Sequence, residues 1–206
     1  MYLPPHFQVS DEALAWQLVR DYPFASLISN EDAGLPFVSH LPLHLELTGP
    51  QPVLLGHCAR ANPHWRYLQA RPLAVVTFMG PHAYMTPRVY PDLARVPTWN
   101  YVTVHCTVEA RLVEAFEDKD RLLKHLIADH DPAYAAQWRA LPDAYQQQLM
   151  RGIVAFELHV KDWQCKVKLN QHRPEAHAAM QAQYAAGNEN ERALADWMQR
   201  LGMTGP

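Results

Sequence analysis

Between Leu55 and Tyr101 the chain carries three short blocks whose residue types suit chemistry better than packing. They read Leu55-Gly56-His57-Cys58-Ala59-Arg60-Ala61-Asn62-Pro63-His64-Trp65, then Phe78-Met79-Gly80-Pro81-His82-Ala83-Tyr84-Met85-Thr86-Pro87, then Val96-Pro97-Thr98-Trp99-Asn100-Tyr101. Core strands are built from branched aliphatics. Here Gly and Pro interrupt the apolar runs and fix backbone shape, while His, Arg, Asn and Trp present donors and flat rings. That combination points to a ligand.

Arg60 stands just before Asn62-Pro63, a strong signal for a helix start over residues 62–71. Free backbone N–H groups there, with a guanidinium beside them, make an anion site suited to a terminal phosphate. The plainer reading is a surface arginine next to an ordinary cap. Twelve histidines raise the question of a metal. His40 and His44 share one strand face, and His57, His64, His82 and His105 lie in or near the blocks. No cysteine or carboxylate joins them at a ligand spacing, so they read as hydrogen-bonding partners for backbone or ligand. Trp99 and Tyr101 put two aromatics on one strand face with Asn100 on the other, which suits core, a subunit interface or the border of a planar ring. Lys166 and Lys168 alternate with apolar residues and read as solvated. No serine or cysteine has a recognisable activating base, so any chemistry belongs to a cofactor.

The elements that must position these groups follow from pattern and punctuation. With 206 residues and a formal charge of −3, the chain has room for one large core and no general attraction for phosphate backbones. Apolar runs are strand-sized, no leader pattern opens the chain, and three separated cysteines suit a reducing compartment. These features imply a cytoplasmic protein without a membrane span. The lack of a basic stripe or helix-turn-helix pair argues against direct DNA binding.

Ser10 caps a first helix that Pro23 stops. Strands at 24–29 and 36–47 form a hairpin through the turn-rich residues 30–35, and Pro42 marks an edge or a bulge. Further strands are expected at 53–58, 73–79, 99–112, 153–160 and 163–169, with a long proline-interrupted loop over 80–97. Helices are expected at 118–130, 142–151, 174–186 and 189–201, the last capped by Asn188 and closed by Gly202. Mostly antiparallel strands with helical excursions argue for a closed or half-open β-barrel in an α+β chain. No G-x-G-x-x-G, P-loop, G-x-S-x-G or H-E-x-x-H is present.

Several of these words taken together resemble one family. They are Met1-Tyr2 with Pro4 and His6-Phe7, Ser39-His40-Leu41-Pro42, Gly56-His57 with Ala59-Arg60-Ala61-Asn62-Pro63 and Trp65, and Gly80-Pro81-His82-Ala83-Tyr84 with Pro87 and Tyr90. Val96-Pro97-Thr98-Trp99-Asn100-Tyr101 follows, then Lys168-Leu169, Gln171 and Arg173-Pro174. The set resembles the PaiB-like, FMN-binding negative transcriptional regulators, which are related to the pyridoxamine-phosphate-oxidase-like split barrels. Asn170 and His172 depart from the family pattern, which has Ser and Asn there.

The resemblance implies a six-stranded antiparallel Greek-key split barrel flanked by helices over residues 1–174, and a helical extension over 175–206. It also implies a homodimer with FMN in a groove between subunits. Ser39, His40 and Leu41 would lie along the flavin, and His57, Arg60 and Asn62 would hold the ribityl phosphate end. Trp99, Asn100 and Tyr101 would approach from the dimer seam. The implied function is that of an FMN-binding regulatory protein acting directly or indirectly on gene expression. An FMN-dependent oxidoreductase on a small substrate, with His82 or Tyr84 gating the ring, is the alternative, and a haem-handling split barrel is a third.

Overall fold

The computed structural model describes residues 1–92 and 94–204. Leu93, inside the loop expected at 80–97, and Gly205 and Pro206, at the end of the expected helical extension, lie outside the described residues. In chain order the elements are β1 (Gln8–Val9), α1 (Glu12–Asp21), β2 (Phe24–Asn30), β3 (Pro36–Pro42), β4 (His44–Glu46), β5 (Val53–Ala59), α2 (His64–Ala70) and β6 (Leu73–Met85). They continue with β7 (Thr98–Val113), α3 (Phe116–His130), α4 (Tyr134–Ala140), α5 (Asp143–Arg151), β8 (Ile153–Lys168), α6 (His177–Ala185) and α7 (Glu189–Arg200).

The fold is α+β. Its eight-stranded sheet follows the order β3-β2-β6-β7-β8-β5-β4, with β1 added on β8. The β2–β3, β2–β6, β4–β5, β5–β8 and β1–β8 pairs are antiparallel. The sequence pattern predicts seven strands and the family resemblance six, and the path runs open from β3 to β4 rather than closing on itself.

The differences have local causes. The strand expected at 36–47 breaks after Pro42, because the buried Leu43 donates its N–H to the Pro23 carbonyl at 3.0 Å instead of to a neighbouring strand. The strands expected at 153–160 and 163–169 are one continuous β8. Residues 80–85 belong to β6 rather than to a loop. Of β6, β2 pairs with Val75, Val76 and Thr77, so Pro81 lies beyond that register and removes no bond to β2. At Gly80 a Cβ would meet the Val102 carbonyl oxygen at 3.0 Å, so a side chain there would crowd the strand beside it. The cap of α1 is Asp11, one residue later than expected: its Oδ1 accepts from the N–H groups of Ala13 and Leu14 at 3.0 and 3.3 Å. The Asn188 cap of α7 stands as read, and Gly202 follows with φ of 63°.

The residues gather into two compact units. One contains residues 1–18, 79–104 and those from 164 onward; the other contains 19–78 and 105–163. In the first, Met85, Val102, Val104, Val167 and Leu169 are buried with Tyr184 of α6 and Trp197 of α7. In the second, Leu27, Leu54, Val76, Phe78, Phe156 and Leu158 are buried, and Leu122 and Leu126 of α3 pack on Leu55 and Ala155. Each Val, Leu, Phe and Met side chain among them contributes about 1.5–3 kcal/mol when fully removed from water. No helix among the described residues is long and apolar enough to cross a membrane.

Candidate functional site

In the second unit, β3 and the turn after β5 bring the buried Ser39 and His64 and the half-buried Asn62 into one polar group. Asn62 Nδ2 donates to Ser39 Oγ at 3.0 Å, and His64 Nδ1 pairs with the same hydroxyl at 2.8 Å. Asn62 Oδ1 accepts from the His64 backbone N–H at 3.0 Å. Both ends of the Asn62 amide are thus engaged and fix the Ser39 hydroxyl and the turn together, and these bonds leave the second Nδ2 hydrogen unused. Phe37 and Tyr67 wall the group, with the Phe37 ring 5.0 Å from His64 and 5.2 Å from Tyr67. His64 is 1% exposed, and burial holds its imidazole pKa down at about 4, so the ring is neutral at physiological pH.

Two buried polar atoms of this unit have no partner among the described residues: His64 Nε2 in this group and His57 Nδ1 on β5. Burial also lowers the pKa of His57. His64 entered the sequence reading only as one hydrogen-bonding histidine among several. Its place directly after Asn62-Pro63 was the signal that separates it from the others.

The helix start differs from expectation. α2 begins at His64 with Pro63 at its cap and no side-chain cap bond, so Asn62 builds the turn before the helix rather than capping it. Arg60 faces backbone: its Nε donates to the Arg151 carbonyl at 2.8 Å and its Nη2 to the Ile153 carbonyl at 3.2 Å. The Trp65 indole lies 6.0 Å from the guanidinium and donates its Nε1–H to the Arg60 carbonyl. Two of the five guanidinium donors are used in this way, leaving the others for a ligand. His40 is exposed, 3.0 Å from Ser26 Oγ through Nδ1 and stacked on Phe24. Leu41 is half-buried beside it.

The first unit holds Trp99, Asn100 and Tyr101 on β7. Trp99 is 55% exposed, with the His82 and Tyr84 rings 6.2 and 6.3 Å from its own. Asn100 is fully buried, and its Nδ2 donates to the Tyr184 hydroxyl at 3.0 Å and to Met180 Sδ at 3.2 Å. Tyr101 is half-buried between two lysines. One of these, Lys166, was read as solvated and is instead buried, with its Nζ donating to the Tyr2 carbonyl at 3.0 Å. Among the described residues no group of three His, Cys, Asp or Glu is placed to hold a metal ion.

Residues 1–162 match the family model described as "Putative FMN-binding domain". Over 198 residues the chain is 31% identical to "Protease synthase and sporulation protein PAI 2" of Bacillus subtilis (strain 168), a match covering 94% of this chain and 93% of that protein. Among solved structures it is similar to the FAD and heme binding protein from Mycobacterium smegmatis, with a TM-score of 0.63 at 17% identity, covering 79% of this chain and 74% of that one. It is similar also to the flavocytochrome Anf3 from Azotobacter vinelandii, with a TM-score of 0.63 at 16% identity, covering 80% and 70% of the two chains. At such identities these likenesses concern the fold alone.

FMN carries a ring edge of hydrogen-bonding atoms and a terminal phosphate. Unpartnered buried nitrogens at His57 and His64 and the spare guanidinium donors of Arg60 fit such a group. On the match over residues 1–162 and the 31% identity to PAI 2 along nearly the whole of both chains, the chain belongs to the PaiB-like FMN-binding family, and its cofactor is FMN.

Proposed function

We propose that this chain is an FMN-binding regulatory protein of the PaiB type, a split-barrel homodimer whose effect on gene expression is indirect. The observation that carries this reading is the relation to PAI 2, whose name ties it to protease synthesis and sporulation and which aligns along nearly its whole length. In this reading Ser39, His40 and Leu41 lie along the flavin, and His57, Arg60 and Asn62 hold the phosphate end. Trp99 and Tyr101 meet the flavin from a second copy. Asn100 supports them from behind, because its amide donates to Tyr184. When bound, FMN supplies electron transfer. Ser39 keeps a fixed hydroxyl because Asn62 and a neutral His64 both hold it.

An indirect effect follows from charge. A net −3 gives little neutralisation of DNA phosphates, which supplies most non-specific affinity. The test is reconstitution with FMN, followed by salt-controlled titration of apo and FMN-loaded protein with genomic fragments. Flavin absorbance that survives gel filtration, with weak and unselective DNA binding, is expected. Nanomolar, sequence-selective binding by either form would restore direct repression.

The exposed group of His82, Tyr84 and Trp99 favours a second reading, an FMN-dependent oxidoreductase whose aromatic surface borders the ring. Flavin reduction by NAD(P)H against a panel of small acceptors separates the two.

A further inference from the structure

Lys166 is only 6% exposed. Its Nζ donates to the Tyr2 carbonyl at 3.0 Å and lies 5.6 Å from the Tyr2 ring centroid and 5.2 Å from that of Tyr101. Two positions on, hence on the same strand face, Lys168 lies 5.9 Å from the Tyr101 ring. Lys168 Nζ donates to Thr98 Oγ1 at 2.5 Å and to the Trp99 carbonyl at 2.8 Å. Among the described residues neither ammonium has a carboxylate within ion-pair distance. Every one of these groups belongs to the first unit.

A buried ammonium is costly unless it is paired, and two like charges on one face repel. Aromatic faces and carbonyls offset only part of that cost. Each ammonium has three donors. Lys168 gives two of its donors to protein oxygens and Lys166 gives one, which leaves hydrogens on both without a protein acceptor. Burial lowers the Lys168 pKa; Tyr101 opposes the shift and the Lys166 charge adds to it. An anion seated at both ammonium groups would relieve the desolvation and the repulsion together.

We infer that Lys166, Lys168 and Tyr101 form an oxyanion-binding site, which takes a phosphate or carboxylate group carried by a small molecule. The site rests on the two lysines and not on the proposed flavin contacts, although Tyr101 is also placed at the flavin, and where FMN is the source of the anion the lysines take its phosphate in place of Arg60. Its anion comes either from a separate small molecule or from FMN itself.

Three measurements on the full chain decide it. First, wild-type apo and FMN-loaded protein are titrated calorimetrically with inorganic phosphate, and Lys168 is labelled with trinitrobenzenesulfonate with and without phosphate and read by mass spectrometry. Second, FMN and riboflavin affinities are compared in wild type and in the Lys166→Gln/Lys168→Gln variant. Third, the Lys166→Arg/Lys168→Arg variant serves as the charge-retaining rescue.

A separate small molecule predicts saturable phosphate binding to the FMN-loaded protein, protection of Lys168 and at least a tenfold loss in the Gln variant. FMN as the source predicts phosphate binding to the apo protein alone and at least a tenfold fall in the preference for FMN over riboflavin in the Gln variant. The wild-type labelling needs no variant to fold. No protection of Lys168 by phosphate or by FMN, together with an unchanged preference for FMN over riboflavin, overturns the site. Failure of FMN to bind at all would overturn the flavin reading while leaving the phosphate measurements on apo protein to judge this one.

Discussion

His64 shows how one buried side chain ties the local fold to pH. In the folded chain it stays neutral down to about pH 4, whereas the unfolded chain takes up the proton near the ordinary value of 6.5. Between those values the unfolded state binds more protons, so His64 favours folding fully above pH 6.5 and the contribution is lost as pH falls toward 4. The full displacement corresponds to about 3 kcal/mol. The lowered pKa of His57 acts in the same direction. Denaturant melts at pH 7.5 and 4.5 should show a smaller acid loss in His64→Gln than in wild type, and identical losses would remove His64 as the cause.

Arg60 joins an observed backbone role to the phosphate contact proposed for it. Arg60→Ala is expected to weaken FMN by about 1.5–3 kcal/mol through loss of a charged phosphate contact, and stability by about 1 kcal/mol through the Arg151 and Ile153 carbonyl bonds. Arg60→Lys should keep part of the affinity but cannot span both carbonyls. Flavin titration alongside a denaturant melt separates the effects; wild-type affinity in Arg60→Ala would leave Arg60 a backbone clamp only. At this scale the sequence displays residue types well and burial poorly. Arg60, Asn62 and Ser39 stand in recognisable words, but the buried Lys166 looks the same in sequence as a solvated lysine, because alternation cannot say what covers a strand face.

At the scale of elements, Gly56 records a close approach inside β5. A Cβ there would overlap Leu43 Cδ2 and meet Phe156 Cε2 at 3.1 Å, and both neighbours are buried. Gly56→Ala should therefore cost about 1–3 kcal/mol by overpacking, against a gain of a few tenths from reduced chain entropy. A thermal melt that shows no loss would mean that Leu43 moves freely, contrary to its burial. Most elements were legible because their signals are local: the 30–35 turn closes the β2–β3 hairpin, and Asn188 caps α7 with a reciprocal bond from Glu191. Errors fall where a neighbour decides. Pro81 reads as a strand breaker until β6 is seen to outrun β2, and Leu43 ends a strand because of the Pro23 carbonyl. The two-residue β1 pairs with Cys165 and Lys166, more than a hundred residues away in sequence, and carries no periodic signal of its own.

At the scale of the whole molecule, the question is what covers the apolar surface of the first unit. Trp99 is 55% exposed and Tyr84 47%, with their rings 6.3 Å apart, a pair too apolar to be an ordinary solvated strand face. Aromatics of this kind act as anchors of subunit interfaces, which need about 800 Å² per partner to be stable. A homodimer that covers this group is the expected state. Light scattering at low micromolar concentration should give twice the chain mass, and Trp99→Glu should shift the protein toward monomer, because a buried unpaired carboxylate costs several kcal/mol at an interface. If Trp99 also borders the flavin of the second copy, the same substitution lowers FMN retention in step with dimer loss. A Trp99→Glu monomer that holds FMN with wild-type affinity would confine the flavin to one subunit, and a wild-type protein that is monomeric with FMN bound would remove the shared groove altogether.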